Sequence, residues 1–130
     1  MQKISEVFVV LEDRPGVVGE MCRVLKKKRI AIHAIGLFGD TARLYVSDPQ
    51  KALEAFVERD YPVELREVIS TILTNHIGAL MEFTQKLGNA GINIKYLYGT
   101  LLEQHKKGLI ILEVDKPELA MKLFQNQSPF

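Results

Sequence analysis

One stretch of this chain occurs twice, and that repeat limits the folds open to it more than any other feature. Asp13-Arg14-Pro15-Gly16 leads into residues 17–29 and then an apolar run, residues 30–35. Asn75-His76-Ile77-Gly78 leads in the same way into residues 79–91 and then 92–97. The offset is 62 positions, Gly16 to Gly78, with no gap between these limits. Gly16/Gly78, Glu20/Glu82, Leu25/Leu87, Ile30/Ile92 and Ile32/Ile94 are identical pairs. Val18/Leu80, Met21/Phe83 and Ile35/Leu97 are apolar in both copies. Such a period is too long for one unit of a solenoid, so the chain reads as two copies of a small domain. The expected division is residues 1–65 and 66–130. Domains of about 60 residues bury a modest fraction of their surface. The copies are therefore expected to pack on each other, on a second chain, or both.

The order of elements follows from local pattern. Val7-Phe8-Val9-Val10-Leu11 is apolar on both parities and reads as a strand buried on both faces. Asp13 can cap the helix that follows, and Pro15 suits its first turn. Val17, Val18, Met21, Cys22 and Leu25 make one apolar helical face. Lys26-Lys27-Lys28-Arg29 closes that helix, where cations complement the C-terminal dipole. The run could also form an anion or nucleic-acid patch, but a solvated helix end is the commoner reading. Residues 30–38 and 41–47 read as a hairpin turning at Gly39-Asp40. Asp48-Pro49 opens a second helix over 49–59, with Ala52, Leu53, Phe56 and Val57 inward. Residues 61–73 are strand-like, with Pro62 at their start, and must serve both copies.

Copy two repeats this order. Asn75 takes the cap position of Asp13, and Leu80, Phe83, Thr84 and Leu87 form the inner helical face. Strands are expected over 92–101 and 109–114, then a helix from Pro117 to about Phe124. Residues 125–130 are polar and contain Pro129, so they make a poor strand. The fold class is thus α+β: two tandem β-α-β-β-α-β units with antiparallel sheets, a ferredoxin-like pattern. The last strand of copy two is missing or supplied from elsewhere.

Composition narrows the function classes. Of 130 residues, 47% are hydrophobic and 25% charged, an ordinary globular balance. The net charge of +1 provides no global attraction to nucleic acid or membrane. Cys22 is the single cysteine, which fits a cytoplasmic protein without intramolecular disulfides. Lys3, Glu6, Glu12 and Asp13 interrupt the early apolar run, so no signal peptide is expected. No stretch of about 18 uncharged apolar residues predicts a membrane helix.

The motif Glu12-Asp13-Arg14-Pro15-Gly16-Val17-Val18 at a strand end, with Arg29-Ile30-Ala31-Ile32 after the helix, resembles the ACT domain. Gly78-Ala79-Leu80 and Gly91-Ile92-Asn93-Ile94 are its counterparts in copy two. ACT domains are regulatory modules that bind amino acids in many metabolic enzymes. The resemblance covers essentially the whole chain as a tandem pair with no catalytic domain attached. It implies a site at the first strand-to-helix loop, usually at an interface between two ACT domains. In the serine-binding relative, phosphoglycerate dehydrogenase, two asparagines hold the ligand, and their positions fall on Asn75 and Asn93. Copy one has Asp13 and Ala31 there, and a histidine of that relative falls on Leu73. The implied ligand-binding residues are Asn75, His76, Ile77, Gly78, Ala79 and Asn93, with Asp13 and Gly16 in copy one. The location also has a physical basis: a helix N-terminus offers unpaired N–H groups to an α-carboxylate. Asn75 could equally be a helix cap, and Asn93 a polar strand end.

Other constellations carry less. His33, His76 and His105 have no metal-ligand spacing among themselves or with Cys22. Cys22 on the apolar face reads as an inert thiol, and Met21, Met81 and Met121 as core residues. There is no phosphate-cradling glycine motif and no nucleophile elbow, so no catalytic residue and no cofactor is expected. Tyr96 and Tyr98 share a strand parity, but the aromatic and basic motif of an RNA-binding sheet is absent. The expectation is a non-catalytic regulatory module. It binds a small amino acid, assembles as a homodimer, and acts through that assembly or on a metabolic enzyme partner. The alternatives are a small enzyme of acylphosphatase type, with Arg14 in its loop, or a pairing module without ligand.

Overall fold

The structure, a computed structural model, describes residues 1–125. Its elements are β1 (Gln2–Val10), α1 (Val17–Lys27), β2 (Ile32–Phe38), β3 (Thr41–Val46), α2 (Pro49–Glu58), β4 (Val63–Thr74), α3 (Ala79–Asn89), β5 (Ile94–Thr100), β6 (Lys107–Val114) and α4 (Pro117–Leu123). The class is α+β with antiparallel strand pairs, two ferredoxin-like copies in tandem. The polar tail expected to make a poor last strand lies outside the described residues from position 126 on.

The chain divides into two compact units, Ser5–Glu67 and Met1–Ile4 with Val68–Phe130. In the first, the strand order is β2-β3-β1-β4. Strand β1 meets β3 through Val7 opposite Leu44 and Val9 opposite Ala42. The alternation puts Val7, Val9 and Leu11 on the face covered by helices. There they join Met21, Leu25, Leu44, Val46, Ala52 and Phe56 in one core. Phe56 is fully buried and meets the Tyr61 ring edge-on at 5.2 Å. Burial of a side chain this large contributes roughly 1.5–3 kcal/mol.

The other face of β1 is not bare. Phe8 lies between two guanidinium groups, Arg66 at 3.8 Å and Arg43 at 4.8 Å from the ring centroid. Arg43 also reaches the buried Glu6 carboxylate at 3.3 Å, and Arg66 donates from Nε to Glu64 at 2.8 Å. The double-sided apolar pattern of residues 7–11 is thus met by core on one side and by cations stacked on an aromatic ring on the other.

The second unit repeats the order, with β4 between β6 and the start of β1, and β5 outside β6. Ile69, Leu73, Phe83, Leu87, Ile110, Leu112 and Ala120 form its core, with Phe83 and Phe124 rings 5.1 Å apart. The strand that copy two lacks in its own sequence comes from the first residues of the chain. Met1 packs against this core, and Lys3 pairs with Glu118 of α4. Strand β1 therefore begins at Gln2, earlier than its apolar run, because its first residues, 2–4, serve the second unit.

Three local expectations are corrected, the first being Val57 of α2, which is 58% exposed rather than inward. The helix caps are Gly16 and Gly78, not Asp13 and Asn75, and neither has a side-chain cap. Both glycines take left-handed φ angles, 86° and 92°, which swing the preceding loop away from the first turn. Met81 is 56% exposed rather than buried, because it occupies the outer position held by Gly19 in copy one. Met21 is fully buried as expected.

Candidate functional site

The candidate sites are the loops that join β1 to α1 and β4 to α3. Each loop ends in a left-handed glycine and delivers an uncapped helix start. Val17 N–H reaches Arg14 O at 3.4 Å, and Ala79 N–H reaches His76 O at 3.0 Å. The N–H groups of Val18 and Gly19, and of Leu80 and Met81, find no backbone acceptor among the described residues. These are the orphan donors of a helix first turn, and together with the dipole they suit an anionic group.

Each loop also sets a basic side chain beside a carboxylate of its own helix. Arg14 grips Glu20 with both terminal guanidinium nitrogens, Nη2 at 2.7 Å and Nη1 at 3.3 Å, while Nε donates to Glu12 at 2.8 Å. The Arg14 hydrogen bond holds the Glu20 carboxyl below the usual carboxylate range. The same contacts raise the Arg14 pKa further above its already high ordinary value. In copy two, His76 Nε2 stands 3.5 Å from Glu82, a pair that is ionic only when the imidazole is protonated. The signal for these pairs was present in the sequence: Glu20 and Glu82 are identical, and each lies six residues after a loop residue able to carry charge. A phosphate-directed role for Arg14 would require it to leave both carboxylates.

A cavity of about 240 Å³ opens at the copy-one loop, lined by Arg14 and Arg59, by the carboxylates Glu12, Glu20 and Asp60, and by Val10, Val17, Tyr61 and Pro62. Arg59 and Tyr61 were not singled out from the sequence. They follow α2, far along the chain, and only the return of β4 beside β1 brings them here.

The structure places the copy-two candidates as follows. His76, Ile77, Gly78 and Ala79 are together at the loop, with Ile77 fully exposed and Ala79 buried. Asn75 is at the same end, but its amide is engaged: Nδ2 donates to Leu102 O at 2.6 Å and to His105 O at 3.0 Å. It ties down the β5–β6 hairpin and leaves only Oδ1 for a ligand. Asn93 is at the other end of the sheet. Asn75 N–H bonds Lys106 O and Asp115 N–H bonds Asn93 O, so nine residues along β6 separate the two levels, about 30 Å at strand rise. One ligand cannot touch both asparagines of the same unit. Asn93 is exposed, and its N–H donates to Asp115 Oδ1 at 2.9 Å. The copy-one counterpart, Ala31, uses Ser47 in the same way at 3.0 Å. Asp13 and Gly16 are both exposed in their loop. Among the described residues, no cluster of three His, Cys, Asp or Glu could hold a metal ion, and no helix is long and apolar enough to cross a membrane.

Comparison with known proteins agrees with this architecture. Protein BT0572 from Bacteroides thetaiotaomicron superposes with a TM-score of 0.86 at 24% identity, over 95% of this chain and 87% of that one. The regulatory subunit of aspartate kinase from Thermus thermophilus gives a TM-score of 0.67 at 16% identity, over 99% and 96% of the two chains. The same subunit from Thermus flavus gives 0.61 at 17% identity, over 94% and 92%. These likenesses show the fold. No curated protein matches the chain. The model of the ACT domain pair family matches residues 2–128. With its repeat, its strand order and its two glycine-led helix starts, the chain belongs to the ACT domain pair family.

Proposed function

We propose that this protein is a non-catalytic, cytoplasmic regulatory module that binds a small amino acid at its strand-to-helix loops. The observation that carries the reading is the uncapped start of α1 and α3, each behind a left-handed glycine. An α-carboxylate would receive the free first-turn N–H groups there. Asn75 Oδ1 would accept from the ammonium, and His76, Ile77, Gly78 and Ala79 would complete the loop. Because Asn93 is about 30 Å away within its own unit, it would reach such a ligand only from a second chain. A homodimer whose interface holds the ligand is the arrangement that uses both asparagines. The ligand would then favour the assembled state by its differential affinity, and a metabolic enzyme partner could read that change. Copy one, with Asp13 and Gly16 in the loop and Ala31 in place of Asn93, would bind more weakly.

The test is a thermal-shift screen against the common amino acids, with light scattering alongside. A ligand at a hundred times its dissociation constant should add about 2.7 kcal/mol. Asn93→Ala should abolish that shift while leaving the ligand-free midpoint nearly unchanged, since its side chain is exposed. Asn75→Ala is the poorer probe because it also frees the hairpin. A full shift in Asn93→Ala, or the mass of one chain at micromolar concentration with and without ligand, would refute the shared site.

A further inference from the structure

A second concavity lies on the helical side of the first unit. It holds about 440 Å³ and is lined by Glu20, Arg23, Val24, Lys27, Arg59 and Tyr61. That volume is within the usual range for small-molecule sites, roughly 300–1,000 Å³. Three of the lining residues are cations: Arg23 and Lys27 from α1, and Arg59 from the end of α2. None of the three has an ion-pair partner within 4 Å among the described residues. The one carboxylate of the lining, Glu20, is gripped on both oxygens by Arg14 and also feels the charge of Arg23, so a single acid is shared among the cations around it. At the far end, Lys28 pairs with Glu58 at 3.7 Å and bounds a smaller extension past Val24 and Ala55.

A cationic helix end has an ordinary explanation, since Lys and Arg offset the C-terminal dipole. That explanation covers Lys27 but not Arg23, which is a full turn earlier and outside the last turn of α1. Copy two shows that the fold does not need these charges. The positions 62 residues on from Arg23 and Lys27 are Gln85 and Asn89, on a helix of the same length. The cations converge from two helices on one concave space, where their mutual repulsion is unfavourable unless an anion offsets it.

We propose that this groove between α1 and α2 is a binding site for a small phosphorylated molecule; it shares Glu20, Arg59 and Tyr61 with the cavity at the copy-one loop. Arg23 and Arg59 would each fork onto phosphate oxygens, and Lys27 would add a point charge. The Tyr61 ring, fixed against Phe56, and the Val24 side chain would border the uncharged part of the ligand. The module would then respond to two inputs, one at the loops and one at the groove.

Isothermal titration calorimetry with inorganic diphosphate, at fixed ionic strength, tests this directly. Saturable binding is expected at one site per chain. Arg23→Gln with Arg59→Gln should weaken it by at least about tenfold. Lys51→Gln with Lys122→Gln removes the same net charge away from the groove and should leave it within about twofold. If the Arg pair fails to fold, the single Arg23→Gln variant should still lose affinity while the Lys pair does not. Absence of saturable binding, equal losses in the two double variants, or a preference for duplex DNA or RNA over diphosphate would overturn the proposal. The amino-acid reading of copy two would stand under any of these results, because Asn75, Asn93 and the start of α3 do not line the groove.

Discussion

Arg14 and Glu20 show how much one residue pair shapes a loop that has no cap. Without Asp13 at the cap position, the first turn of α1 is steadied by Glu20, whose carboxylate offsets the dipole and is itself gripped by Arg14. The pair makes stability pH-dependent with a definite sign. Glu20 is held below its usual range in the folded protein, so the folded state binds its proton less readily than the unfolded chain does. The stabilisation is present above the unfolded carboxylate value, about 4.3, and is lost as pH falls through the lower folded value. Arg14→Gln should therefore lower the melting midpoint at pH 6, and the gap to the parent protein should close as pH falls toward 3. A gap that stays constant over that range would show the pair to be electrostatically idle.

At the scale of elements, the two copies solve one problem with different residues. Helices α1 and α3 both end by passing through the left-handed region before the next strand. Copy two does so at Gly91, with φ of 76°, and copy one at the equivalent Arg29, with φ of 57°. The backbone hydrogen bonds match: Ile30 N–H returns to Leu25 O, and Ile92 N–H to Leu87 O, each at 3.0 Å. An arginine in this conformation has a Cβ crowding its own carbonyl, at a cost of roughly 1 kcal/mol relative to glycine. Arg29→Gly should raise the unfolding free energy by about 0.5–1 kcal/mol in urea, with the slope unchanged. A loss of stability would mean that the Arg29 side chain contributes more than its backbone conformation costs. Strand β1 is the other instructive element. Phe8 on its outer face reads in sequence as a residue requiring a packed partner, and it receives the guanidinium groups of Arg43 and Arg66 instead.

For the molecule as a whole, the telling feature is where copy two finds its fourth strand. Met1–Ile4 belongs to the same compact unit as Val68–Phe130, with Met1 on its core and Lys3 on Glu118. Removing these four residues should destabilise that unit while leaving the core around Met21 and Phe56 intact. The loss should be on the order of 2 kcal/mol, from two half-buried apolar side chains and their strand hydrogen bonds. Hydrogen exchange is the measurement: amides of β4 beyond Val68 and of β6 should lose protection before those of β3. Equal loss in β3 would mean that the two units unfold as one.

The sequence by itself determined what depends on local pattern. The 62-residue repeat, the alternation of strands, the apolar faces around Met21 and Phe83, and the glycine before α1 and before α3 are written in neighbouring residues. A backbone with those preferences can adopt few other conformations. The ACT resemblance followed from the same loop, helix and strand. The tertiary structure alone decided what depends on residues distant in the chain. Residues 2–4 carry little apolar signal, and only pairing far along the chain makes them a strand of the second unit. Asn75 looks like a cap in sequence, but hydrogen bonding to Leu102 and His105, 27 and 30 positions away, commits its amide to a hairpin. Spacing along the chain gives no distance in space, so the two asparagines expected at one binding site stand at opposite ends of their sheet. Of the groove cations only Lys27 lies in the charged run 26–29 that the sequence shows, and α2 is needed to bring Arg59 to the same concavity as Arg23.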